Sequence, residues 1–155
     1  MIIRIITTTC LLLSFGIAQA QQASYGNAIN LDTAKKVAAA AALEAKKNSF
    51  KMAIAIVDTH GFQIYFEVLD DTQTGSNNIA IQKARTAAML RRPTKALEDG
   101  VAGGRNALMT IPDAIMIEGG EPLVVDGKVI GAIGVSGGSS AQDGQVARAG
   151  AQVLK

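Results

Sequence analysis

Residues 118–147 constrain the fold more than any other part of this chain. Leu123-Val124-Val125 and Lys128 to Val135 are apolar runs separated only by Asp126-Gly127. Asp-Gly between two such runs specifies a tight hairpin, because both turn positions need positive φ. The second run ends in Ser136-Gly137-Gly138-Ser139-Ser140, and a helical pattern follows from Gln142 to Leu154. Val146, Ala149, Gly150 and Val153 share its inward face. The order is strand, turn, strand, glycine-rich loop, helix, so the last third of the chain packs a helix onto an antiparallel pair.

The preceding residues extend that pattern. Leu31 to Asn48 reads as a helix capped by Asn30 or Asp32, with Leu31, Ala34, Val37, Ala38, Ala41, Ala42 and Ala45 on one small-residue face. Lysines in its last turn suit the helix dipole. Met52 to Val57 and Phe62 to Leu69 are strand-length runs joined by Asp58-Thr59-His60-Gly61, which has the Asp and Gly of a type I turn. Ser76 is an N-cap candidate for a helix from Asn77 to about Arg91, stopped by Pro93. Thr94 can cap a short turn over Lys95 to Glu98, and Ala114 to Ile117 is a short strand candidate. Five strands joined mainly by hairpins predict an α/β (α+β) domain, with a five-stranded antiparallel sheet flanked by helices.

The first twenty residues read as a signal peptide. Arg4 precedes an apolar run from Ile5 to Ile17, and Ala18-Gln19-Ala20 has the small-x-small pattern of a cleavage site. The run is too short for an ordinary spanning helix. Cleavage after Ala20 predicts a periplasmic or secreted protein with no stable membrane insertion. It also removes Cys10, the only cysteine, so thiol chemistry and cysteine-metal sites are excluded from the mature chain. Gln21 to Asn30 is polar and reads as a flexible lead-in to a single domain over 31–155. The formal charge is +2 and aromatics make up 4% of the chain. With no basic cluster beyond Arg91-Arg92, the sequence carries no nucleic-acid footprint.

No catalytic constellation stands out. His60 is the sole histidine, so triads and multi-histidine metal centres are unavailable. It is either an exposed turn residue or an axial metal ligand. The loop Gly131–Ser140 either packs closely on the sheet or offers free amides to an anion through Ser136, Gly137 and Gly138. Lys83 is nearly in phase with Thr86 and Leu90, so it is either an inward-pointing cation for a carboxylate or a snorkelling surface lysine. Arg85 lies on the same helix. The pairs Glu118/Glu121 and Asp70/Asp71 fall in turns and read as solvated.

Several segments together resemble the haem-binding or haem-degrading proteins of the HbpS/GlcG type, whose domain also forms the C-terminal part of some PduO-type proteins. They are Ile56-Val57-Asp58 with Gly61, Ile79-Ala80 with Lys83-Ala84-Arg85-Thr86-Ala87, and Gly119-Gly120-Glu121-Pro122. The strongest is Ile130 to Gly137 followed by Gln142-Asp143. The resemblance spans about residues 30 to 154. It implies a PAS- or profilin-like sheet, a homo-oligomer, and haem as ligand, with slow haem breakdown or redox sensing in some members. Lys83 and Arg85 are then expected to pair with propionates, Thr86, Ser136, Gly137 and Gly138 to contact anionic groups, and His60 to meet iron. The N-terminal histidine that relatives offer to iron has no counterpart in residues 21–50. Two other readings stay open: an enzyme or accessory domain for a small carboxylate, and a structural oligomer without ligand.

Overall fold

The computed structural model describes residues 22–155. The predicted signal segment, Cys10 and the predicted cleavage site after Ala20 lie outside the described residues. Among the described residues, no helix is long and apolar enough to cross a membrane.

The elements run β1 (Ser24–Tyr25), α1 (Leu31–Lys47), β2 (Ala53–Asp58), β3 (Gln63–Val68), α2 (Ser76–Leu90), α3 (Thr94–Ala102), β4 (Gly120–Val125), β5 (Lys128–Ser136) and α4 (Ser140–Ala151). Short 3-10 turns cover Asn106–Thr110 and Gln152–Leu154. The central strand β5 pairs antiparallel with β4 on one edge and with β2 on the other, and β3 continues the sheet beyond β2. Both hairpins form where the turn chemistry places them. Asp126 (φ 50°) and Gly127 (φ 73°) both adopt the positive φ that a type I′ turn requires.

Alternation along the strands sorts the core into two layers. Ile54, Ile56, Ile133 and Val135 face α1 and α4, whose small residues Ala34, Ala38, Ala41 and Ala147 let the helices lie close. Ala53, Ala55, Val57 and Ala132 face α2 through Ala80, Ala84, Ala87 and Ala88. The second layer is thinner because glycines let the α2 backbone rest on the sheet. A Cβ at Gly134 would lie 2.0 Å from Ala80 O, and one at Gly120 would lie 2.3 Å from Lys83 O.

Five expectations are corrected. The sheet is mixed, because β1 pairs parallel with the start of β5. Residues 22–30 are a fastened strap, not a flexible lead-in. The Tyr25 hydroxyl meets Ala88 O and Met89 O, each at 3.0 Å, Arg91 donates to Ala23 O, and Gln22 Nε2 donates to Leu90 O. Ala114–Ile117 is loop, and the strand starts later, at Gly120, where the absence of a side chain admits α2. Ser76 is the first helical residue, with its hydroxyl turned inward to Ser136, and Gly75 occupies the cap without a side-chain bond. In α4, Val146 and Gly150 are buried as expected, whereas Val153 is half-exposed in the terminal 3-10 turn.

Candidate functional site

The turn between β2 and β3 is built by Asp58. Its Oδ1 accepts from the amides of His60 (2.8 Å) and Phe62 (2.9 Å), and Gly61 takes the positive φ of 84° that closes the turn. This aspartate-centred turn carries His60 and Phe62 out to the surface. His60 Nδ1 lies 3.2 Å from Thr59 Oγ1. When Nδ1 donates there, Nε2 keeps its lone pair, the form that binds a metal.

Arg85 joins this turn to α2. Its Nε donates to Gly61 O at 3.0 Å, so the guanidinium is held beside His60. Together with Phe62, Gln82, Met89 and Asp113 these residues line a cleft of about 200 Å³. Its rim is apolar and wet: Phe62 is 66% exposed and Met89 48%. Asp113 belongs to the loop before β4. That loop is pinned to α2 by Thr86, whose buried hydroxyl donates to Gln82 O (2.8 Å) and accepts from Ile115 N (2.9 Å). Thr86 therefore supports the cleft wall from inside and has no surface to offer a ligand.

The other sequence-predicted residues gather elsewhere. Lys83 is fully buried, and its Nζ lies 2.7 Å from Asp143 Oδ2. Asp143 also accepts from Gly138 N at 3.0 Å. Burial pushes the Asp143 carboxyl above its ordinary value, only partly offset by the Lys83 ammonium and the Gly138 and Gly137 amides. Ser136 is buried with its hydroxyl 3.3 Å from that of Ser76. Gly137 sits where a Cβ would fall 1.9 Å from Lys51 O. The glycine-rich loop thus turns its amide toward the protein's own carboxylate. It ends in a capping box, with Ser139 and Gln142 each accepting from the other's backbone amide. His60 and Arg85 are brought together; Lys83, Thr86 and Ser136 are internal, while Gly137 is half-buried and Gly138 is exposed with its amide given to Asp143.

A second polar cluster was not legible in the sequence. Glu118 and Glu121, expected to be solvated, are largely buried around Arg148, whose Nη1 lies 2.8 Å and 3.6 Å from their carboxylates. Gly144 makes the room, since a Cβ there would meet Glu118 Oε1 at 2.1 Å. Burial raises the Glu121 carboxyl, and the neighbouring Glu118 charge adds to this against the pull of Arg148. Asp70 and Asp71 remain exposed, with Asp71 3.4 Å from Lys51. Among the described residues no group of three or more His, Cys, Asp or Glu side chains is placed to hold a metal ion.

Larger surface hollows lie elsewhere, of about 450 Å³ beside Lys46, Lys51 and Asp70, about 460 Å³ beside Tyr25, Asp126 and Lys128, and about 250 Å³ beside Glu121 and Arg148. None of the three contains an imidazole, and the Tyr25 hydroxyl is already engaged with α2. The smaller cleft is the better candidate, because it alone combines an imidazole, a guanidinium and apolar side chains.

Comparison with known proteins places this architecture. Protein GlcG of Escherichia coli (strain K12) is 46% identical over 103 residues, covering 66% of this chain and 77% of GlcG. A double mutant of HbpS from Streptomyces reticuli superposes with a TM-score of 0.78 at 30% identity, covering 96% of this chain and 99% of that one. The PduOC:heme complex superposes at 0.73 with 28% identity, over 83% and 96% of the two chains. The family described as haem degrading protein HbpS-like matches residues 29–152, and this chain belongs to that HbpS-like family.

Proposed function

We propose that the protein is an exported haem-binding protein whose ligand contacts the cleft at the β2–β3 turn. The observation that carries this reading is the meeting of His60, Arg85, Phe62 and Met89 at one place. A haem asks for an axial donor, a cation for a propionate and apolar surface for the macrocycle. His60 Nε2 supplies the first, Arg85 the second, and Phe62 with Met89 the third. A relative of known structure in complex with haem supports the choice of ligand. Bound haem would supply a redox-active iron, which is the chemistry that either slow haem breakdown or redox sensing needs. The chain's own part is to present the imidazole on the Asp58-centred turn and to hold Arg85 against Gly61. Lys83 and the glycine-rich loop serve the scaffold in this reading.

The test is a haemin titration of the processed protein followed by visible absorption. A saturable Soret shift that weakens in His60→Ala and in Arg85→Ala is the expected result. A shift indifferent to both changes would move the ligand out of this cleft. No saturable shift, with thermal stabilisation by small carboxylates instead, would favour the organic-acid reading, as preferential binding to the native state requires. Fractionation of cells expressing the full chain tests export: retention of an uncleaved product in the cytoplasm would overturn it.

A further inference from the structure

We infer that Tyr25 is a positioning residue for the cleft, a role that rests on the haem-binding reading. Tyr25 lines no part of the cleft. Its hydroxyl fixes the last turn of α2 and thereby sets Met89 against the ligand.

The need for an outside donor is written in the sequence. An α-helix leaves its last carbonyls without amides of its own. In α2, which ends at Leu90, the amide that would serve Met89 O belongs to Pro93, and proline has no N–H. Arg91 turns into the left-handed region at φ 50°, so the chain leaves the helix at once. The last turn also carries no basic side chain to cover its carbonyls.

The strap over residues 22–30 supplies the donors. Tyr25 Oη lies 3.0 Å from both Ala88 O and Met89 O, so its one proton serves the pair. Gln22 Nε2 donates to Leu90 O. The latch is reciprocal, because Arg91 Nη1 donates to Ala23 O at 3.0 Å and its guanidinium lies over the Tyr25 ring, 5.0 Å from the centroid. The strap is anchored in the sheet as well: Gly26 N donates to Val129 O and Ile29 N to Ile130 O, both at 2.8 Å. The end of α2 is therefore tied to β5 through Tyr25.

Met89 is where this tie reaches the cleft. It lines the cleft together with Arg85, one helical turn earlier. Arg85 has its own tether to Gly61 O, whereas Met89 is 48% exposed and takes its height from its backbone. Terminal helical turns open at little cost. An open turn carries Met89 away from the macrocycle, and affinity falls with the fraction of molecules that keep the turn closed.

Tyr25→Phe keeps the ring beneath Arg91 and removes the hydroxyl alone. Haemin titrations of the processed parent, Tyr25→Phe, Met89→Ala and the double variant close a thermodynamic cycle. Tyr25→Phe is expected to weaken haem binding about three- to tenfold, and to add no further loss once residue 89 is alanine. Without haem, the amides of Met89 and Leu90 are expected to exchange with solvent faster in Tyr25→Phe than in the parent. Parent affinity in Tyr25→Phe, or unchanged exchange at those two amides, would overturn the positioning role while leaving haem binding intact. A loss that persists undiminished in the Met89→Ala background would overturn it too, since a general loosening of the fold gives that result. Absence of any saturable Soret shift in the parent would overturn the haem-binding reading itself, and this role with it.

Discussion

Replacing Lys83 by Met separates its structural role from a ligand-binding one. The Lys83–Asp143 pair spans 2.7 Å between side chains that are 1% and 4% exposed. It links α2 to α4 past Gly119, where a Cβ would come within 2.9 Å of the ammonium. Removing one partner of such a pair leaves an uncompensated charge in the interior and costs about 3–5 kcal/mol. For a domain of this size, that lowers the melting temperature by about 10–20 °C. The loss should shrink on acidification. The Asp143 carboxyl is already raised by burial, and without Lys83 it accepts a proton more readily still. The double change Lys83→Met, Asp143→Leu removes both charges and should recover most of the loss, short of about 0.5–1.5 kcal/mol for the hydrogen bond from Gly138, an exposed residue whose amide can turn to water. Urea denaturation of the two single variants and the double variant gives the coupling directly. Haem affinity of folded Lys83→Met should equal that of the parent. A cost below about 1 kcal/mol combined with a marked loss of haem affinity would refute the argument, since it would mean that the pair opens and Lys83 serves the ligand.

Two further changes probe the scaffold and its acids. Gly134→Ala puts a methyl 2.0 Å from Ala80 O and 2.4 Å from Ala84 N, so α2 must lift from the sheet, at a cost of about 1–3 kcal/mol or more; a melting temperature within a degree of the parent would show that α2 is not seated there. Glu121 binds its proton more tightly in the folded state, because burial raises it above 4.5. The native state therefore takes up protons ahead of the unfolded state as pH falls from neutral toward 4.5, and stability gains from this group over that window. Glu121→Gln should flatten this part of the pH–stability curve, and an unaltered slope would assign the dependence to other groups.

The hairpins were legible because Asp58, Gly61, Asp126 and Gly127 are turn residues with local reasons to be where they are. The same holds for α1, whose alanine face and Asn30 cap are visible in the sequence and recur in the structure. What escaped was set by contacts distant along the chain. β1 is two residues long and is held by carbonyls some 63 positions away, so no periodicity could announce it. Asp143 stands sixty positions from Lys83, and its place in the first turn of a helix reads equally well as an ordinary dipole contact. Ala114–Ile117 is apolar enough for a strand, but Thr86 takes the amide of Ile115 and Glu98 that of the following Glu118 into contacts with helices. The cleft was half legible: His60 and Arg85 were separately noticeable, while their meeting depends on the bond from Arg85 to Gly61.

The seating of α2 on Gly120 and Gly134 divides that helix into two sets of residues with different freedoms. Ala80 and Ala84 are pressed against the backbone at Gly134, Ala87 is buried in the same layer, and all three admit almost no change of volume. Gln82, Arg85 and Met89 stand on the opposite side, in water, and touch none of that seat. Ligand preference can therefore be rewritten one side chain at a time without disturbing the bed beneath it. A library varied at positions 82, 85 and 89 would explore new ligands on a helix whose height and rotation stay fixed.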